Sequence, residues 1–158
     1  MKGQLILEFV IAGFIFFAIV IYTINYLNVN VSDFNGKFYQ NYLQTKALQI
    51  SEILMDDASS LGLMNGGEFD MTKIQNFNSS YCNPGGVYKN LAEKLNLYQK
   101  TIYGTLPNDV RLEMNTTAGA MLLDCGPRMP RNITRAEIGR LGILQGGGEI
   151  ASLRIIVW

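Results

Sequence analysis

The stretch MKGQLILEFVIAGFIFFAIVIY, residues 1–22, decides the architecture. From Phe9 to Tyr22 it carries no charged or strongly polar side chain. Extended from Gln4 to Leu27 it gives roughly 24 residues, enough to cross a hydrocarbon core of about 30 Å as a helix. Lys2 and the amino terminus put positive charge on one side, which predicts an inward N-terminus. A secretory signal would carry a basic segment and a small-residue cleavage site behind the apolar core. Here one lysine precedes the run and no Ala-x-Ala site follows Tyr22, so the segment reads as retained. Glu8 is the exception inside it. An ionised carboxylate in hydrocarbon is costly, about 2.5–3.5 kcal/mol on insertion scales for a central Asp. A chain that keeps one there uses it. An ordinary membrane anchor leaves Glu8 and the Lys2-Gly3-Gln4 start unexplained.

Lys2-Gly3-Gln4 followed by Glu8 resembles the amino terminus of archaeal type IV pilin-like proteins with the short class III signal peptide. The resemblance is specific over about ten residues, and the apolar helix extends it to about thirty. It departs from the family pattern at Ile6, where a serine is frequent, and at Ala12, where a leucine is. It implies that a membrane prepilin peptidase cuts after Gly3, removing residues 1–3. Gln4 then becomes the first mature residue and Glu8 the fifth. It further implies that other pilin subunits are partners through the N-terminal helix, that the membrane holds the chain before assembly, and that Glu8 takes part in assembly. The head exceeds that of the smallest major pilins, which favours a minor or accessory subunit.

The remaining composition fits one small domain behind a helical stem. The chain has 158 residues, a formal net charge of zero and no histidine. About 125 residues follow the apolar run, enough for one modest core. The neutral balance argues against a general nucleic-acid binder. Without histidine, no nucleophile–base arrangement suggests itself, so the reading is not an enzyme.

Helix is expected to continue behind the apolar run. Tyr39, Leu43, Ala47, Ile50 and Leu54 recur at spacings of three and four, and Lys37, Gln40, Gln44 and Ser51 are assigned to the opposite face. Gly36 is expected to loosen the helix. Its end is expected near Asp57 to Ser60, giving a helix over 4–60 and a head over 61–158. The head reads as α+β, a small antiparallel sheet packed on the stem. Residues 87–98 have a short helical period. Strands are expected at 110–114, 120–123, about 138–144, and 151–157, where Ala151, Leu153, Ile155 and Val157 form one apolar face. Gly146-Gly147-Gly148 reads as the turn between the last two strands.

Cys82 and Cys125 both lie beyond the apolar run, outside by this topology, where a disulfide is favoured. Two cysteines without histidine make a poor zinc site, and no metal or other cofactor is expected. Asn30, Asn78, Asn115 and Asn132 each begin an N-x-S/T sequon, with Asn30 close to the membrane. The family resemblance favours glycosylation among Asn78, Asn115 and Asn132. Arg128, Arg131, Arg135 and Arg140 form a basic stretch, read as a solvated face or as a patch for DNA, an anionic glycan or a partner subunit. Glu52, Asp56 and Asp57 read as a solvated helix end rather than a cation site. Tyr81, Tyr88, Tyr98 and Tyr103 fit core and surface positions as well as a carbohydrate site.

The function expected from these features is a pilin-like subunit of a surface filament. The alternative is a single-pass surface adhesin or receptor that never polymerises. A membrane-tethered enzyme is a weaker third.

Overall fold

The computed structural model describes the backbone of residues 2–82, 88–101 and 104–158. Side chains are described for residues 8–31, 33–82, 88–98 and 108–158. The chain forms two compact units, Met1–Tyr39 and Gln40–Trp158. Helix α1, Lys2–Met55, runs through both. No proline interrupts it, and it continues through Gly36. It ends at Met55, a few residues before the expected position. There Asp56 turns the chain, its carboxylate accepting from the Ala58 amide at 3.0 Å.

The second unit is a mixed α+β head. The rear of α1 buries Leu43, Ala47, Ile50 and Leu54 in its core. This is the stripe expected from periodicity. Ser51 departs from the expectation. It is fully buried, not on the solvated face. The four-residue spacing places it beside Ala47, at the rim of the buried stripe. There Arg140 covers it, donating from Nε to the Ser51 hydroxyl at 2.6 Å.

After α1 the chain makes a miniature hairpin, β1 (Met64–Asn65) with β2 (Glu68–Phe69). Helix α2, Met71–Phe77, follows, with Ile74 and Phe77 buried. Asp70 caps it by accepting from the Thr72 and Lys73 amides. This satisfies two of the donors left open at a helix start. A π-helical turn, Asn78–Cys82, extends α2. Helix α3, Tyr88–Lys94, buries Leu91 and Ala92. Val87, the expected start of that helix, lies outside the described residues. Tyr98, expected at its end, instead opens strand β3 (Tyr98–Thr101), which pairs antiparallel with β4 (Gly104–Pro107).

The main sheet has four antiparallel strands: β5 (Val110–Thr116), β6 (Met121–Cys125), β7 (Ala136–Ile143) and β8 (Ile150–Val157). Their order is β6-β5-β8-β7. The inner face carries Leu112, Met114, Leu123, Leu153 and Ile155, all packed in one core with the α1 stripe. Alternation puts Ala151, Leu153, Ile155 and Val157 inward, as expected. Ile156 and Trp158, on the alternate register, are also buried. Ile156 is paired between Arg111 and Glu137, whose long side chains can cover a neighbour on the same face. Trp158 is tied by mutual backbone hydrogen bonds with Asp109.

Edge strand β7 needs a glycine at one place. A Cβ on Gly142 would lie 2.6 Å from the Phe69 ring. The bare backbone lets the Phe69 ring of β2 approach the sheet edge closely. A parallel bridge from Phe69 to Leu144 extends that contact.

Candidate functional site

The described part of the front helix is exposed along nearly its whole length. Phe9, Phe14, Tyr22, Phe34 and Phe38 are each at least 66% exposed. Among the described residues, one helix is long and apolar enough to cross a membrane. The apolar surface does not stop where a bilayer would. From Phe9 to Phe38 the helix rises about 45 Å at 1.5 Å per residue, against a hydrocarbon core of about 30 Å. Beyond the first twenty or so residues the pattern also narrows. Leu27, Val31, Phe34 and Phe38 follow the 4-3-4 spacing of a coiled-coil seam, with Asn28, Asn30, Asp33, Asn35 and Lys37 between them. Phe34 and Phe38 stack with centroids 6.5 Å apart, as Tyr22 and Tyr26 do at 6.3 Å.

Glu8 lies near the start of this surface and is exposed. Gly3 and Gln4 are on the same helix, and the Gln4 side chain lies outside the described residues. Glu8 follows Gln4 by four residues, one helical turn, so the two positions share a face.

In the head, the structure joins Cys82 to Cys125. The bridge fastens the π-helical turn to β6, with Cα atoms 4.7 Å apart. The residue after it, Gly126, has φ +106°, and a Cβ there would lie 2.1 Å from the Val110 carbonyl oxygen. Only glycine fits where the chain leaves the bridge.

The other expected sites separate in space. Arg128, Arg131 and Arg135 share the loop between β6 and β7 and are exposed. Arg140 does not belong with them, because strand alternation turns it to the inner face, onto Ser51. Asp56 and Asp57 are spent on backbone amides, Asp57 accepting from Gly66 at 2.8 Å. Among the described residues no group of three acidic or cysteine side chains is placed to hold a metal. Tyr103 lies outside the described residues. Tyr81 packs at 5.2 Å on Phe77 and carries Lys94 over its ring. The Tyr88 hydroxyl bonds Asp109 and both backbone groups of Val110. Burial pushes its phenol well above the usual tyrosine range, so it stays a neutral tie between α3 and β5. A shallow cleft of about 240 Å³ lies beside α2, lined partly by Ser59, Asn76 and Ser80. Its Lys73 ammonium is already committed to the carbonyls of Asp57 and Met64.

One feature of the head has no counterpart in the sequence reading. The outer sheet face carries a charge ladder across all four strands. Asp124 accepts from Arg111, which also bonds Glu113. Glu113 and Glu137 both hold Arg154. Arg111 and Glu113 at alternate positions of β5 were the available signal, but pairing with Asp124, Glu137 and Arg154 depends on strand register. Comparisons of the chain with protein-family models, curated proteins and solved structures give no match.

Proposed function

We propose that this chain is a pilin-like structural subunit, minor or accessory, that is inserted in a membrane, cut after Gly3 and assembled into a type IV pilus-like surface filament. The observation that carries the reading is the length of the exposed apolar helix surface. A lone anchor needs apolar cover for one bilayer. Here about 15 Å of further apolar surface, including the Val31–Phe38 part of the seam, requires a protein neighbour. Neighbouring copies of such a helix supply it. Glu8 then meets the amino end created by the cut in an adjacent subunit, which offsets its desolvation and fixes the axial register. The helix dipole favours a negative charge at that end by about 0.3–1 kcal/mol.

Purified filaments test the reading. Peptides from this chain co-purify with them, and the mature protein begins at Gln4. Glu8→Ala leaves insertion and cleavage intact while lowering the ratio of filament-bound to membrane-bound mature protein. Recovery of all the protein from the membrane as an uncut monomer overturns the proposal and favours a singly anchored adhesin.

A further inference from the structure

We propose that the free edge of β7, from Glu137 to Leu141, docks an extended segment of a partner protein that carries an Asp or Glu on its inward side. The segment joins the sheet as a fifth strand through backbone hydrogen bonds, and Arg140 takes its carboxylate.

The backbone contacts show which way β7 points its hydrogen-bonding groups. The Leu144 amide donates to the Glu149 carbonyl at 2.8 Å, so alternation turns Ala136, Ile138, Arg140 and Gly142 toward β8. On the other side of β8, Asp109 and Trp158 exchange both bonds, which turns Ser152, Arg154 and Ile156 toward β5. The two ladders agree. Glu137, Gly139 and Leu141 therefore aim their amides and carbonyls away from the sheet, and among the described residues nothing bonds them. The opposite edge is not open in this way, because the disulfide fastens the π-helical turn onto β6. The far end of β7 is closed by the bridge from Phe69 to Leu144. Edge strands are ordinarily blunted by proline, lysine or a bulge. β7 has none of these, and its 8 residues pair with β8 in unbroken register.

Charge selects the occupant. Arg140 lies on the inner face and is half-buried. Its Nε is spent on the Ser51 hydroxyl, and among the described residues no carboxylate pairs with it. A sheltered cation without a counter-charge is costly. A fifth strand would lie about 4.8 Å beyond β7, over the side of α1 that carries Ser51. Leu48, three residues before Ser51 on that side, is exposed. The inward side chains of the docked strand thus meet a cation and an apolar surface. A second copy of β7 does not supply the acid. Its free groups belong to odd-numbered residues, so in any antiparallel register Arg140 meets Ala136, Ile138, Arg140 or Gly142 of the copy. Glu137 stays on the outer face, held by Arg154. An inward charge of this kind keeps an edge from pairing with itself while leaving it open to a strand of opposite charge.

The site belongs to the head and does not depend on filament assembly. The test uses full-length mature protein in detergent and short synthetic peptides of alternating Val and Thr, with one central Val replaced by Glu or by Lys. A third peptide copies residues 135–143. Binding is followed by fluorescence anisotropy and by amide hydrogen exchange. The Glu peptide should slow exchange at Glu137, Gly139 and Leu141 and leave Asp124 of β6 unchanged, and the Lys peptide should do neither. Arg140→Gln should weaken the Glu peptide at least about tenfold and erase the preference for Glu over Lys. Gly139→Pro removes one outward amide at an edge position that proline tolerates. It should abolish binding while Trp158 fluorescence reports a folded head. If that variant disturbs the head, the Arg140→Gln comparison decides alone. No slowing with the Glu peptide, or equal binding of the Glu and Lys peptides, overturns the proposal. Tighter binding of the 135–143 peptide also overturns it and assigns the edge to a second copy.

Discussion

Arg140 of β7 and Ser51 of α1, 89 residues apart in the chain, are joined by a 2.6 Å hydrogen bond from the guanidinium to the hydroxyl. The pair fastens an edge strand to the helix that organises the head. Ser51 is fully buried, so the bond is sheltered from water. Ser51→Ala should destabilise the head by about 1.5–3 kcal/mol, the usual range for a hydrogen bond to a charged group. Combining it with Arg140→Met should cost less than the sum of the two single changes, because no donor is then left unpaired. Trp158, the single tryptophan, is buried and reports unfolding by its fluorescence in denaturant. Strictly additive single and double variants would refute the coupling.

That contact also marks where the sequence stopped being readable. The α1 stripe from Leu43 to Leu54 was legible because helical period alone reveals which residues share a face. Ser51 was misplaced because its burial depends on a residue 89 positions away. The four main strands were legible in outline, β8 from its alternation and β7 from the glycine turn before Glu149. The β1–β2 hairpin and α2 were missed, although Gly66-Gly67 and the Asp70 cap ahead of Ile74 and Phe77 are local signals for them. Each is too short for a periodic pattern to emerge. The cysteine pairing was legible because only two cysteines exist. The scattering of the arginines was not, since it turns on which way β7 alternates.

The outer charge ladder sets an acid limit on the head. Hydrogen bonds from Arg154 hold the Glu137 carboxyl below its usual value of 4.5, against the opposing effect of partial burial, with Arg154 and Arg135 adding attraction. The folded state therefore binds this proton more weakly than the unfolded chain does. The stabilisation is complete above about pH 4.5 and is lost as pH falls through the lowered folded value. Asp70 behaves alike, lowered chiefly by the Lys73 amide. Denaturation midpoints should be flat from pH 7 to 5 and fall below that. Glu137→Gln should lower the plateau slightly and make the acid limb shallower, since the pair is partly exposed and screened. An identical acid limb in the variant would contradict this account.

The disulfide should matter more than any single ladder contact. Its 43-residue separation corresponds to about 4 kcal/mol in the chain-entropy treatment. Cys82→Ser with Cys125→Ser should lower stability by that order while leaving membrane insertion unchanged. Gly126→Ala should act in the same region by a different route, forcing strain at φ +106° and a clash with the Val110 carbonyl. Reductant should shift the unfolding midpoint of the parent protein and not that of the double serine variant. A reductant-insensitive parent would mean that the bridge adds nothing.

The seam beyond the bilayer separates a polymer from a lone anchor. Leu27, Val31, Phe34 and Phe38 are all more than half exposed, and the last two stack on each other. If neighbouring helices cover them, replacing two phenylalanines removes about 1.5–3 kcal/mol of burial apiece from each subunit contact. Incorporation into filaments should then fall at least about tenfold, because 1.4 kcal/mol is already a factor of ten. Phe34→Ser with Phe38→Ser is the variant, and the filament-to-membrane ratio of mature protein is the readout. Head stability, followed by Trp158, serves as the control. It should not change, because both phenylalanines belong to the unit Met1–Tyr39 and lie outside the head core. A singly anchored receptor would tolerate both serines, since that part of the helix lies past the hydrocarbon. An unchanged ratio with an intact head would therefore leave the extra apolar length without a partner and defeat the assembly reading.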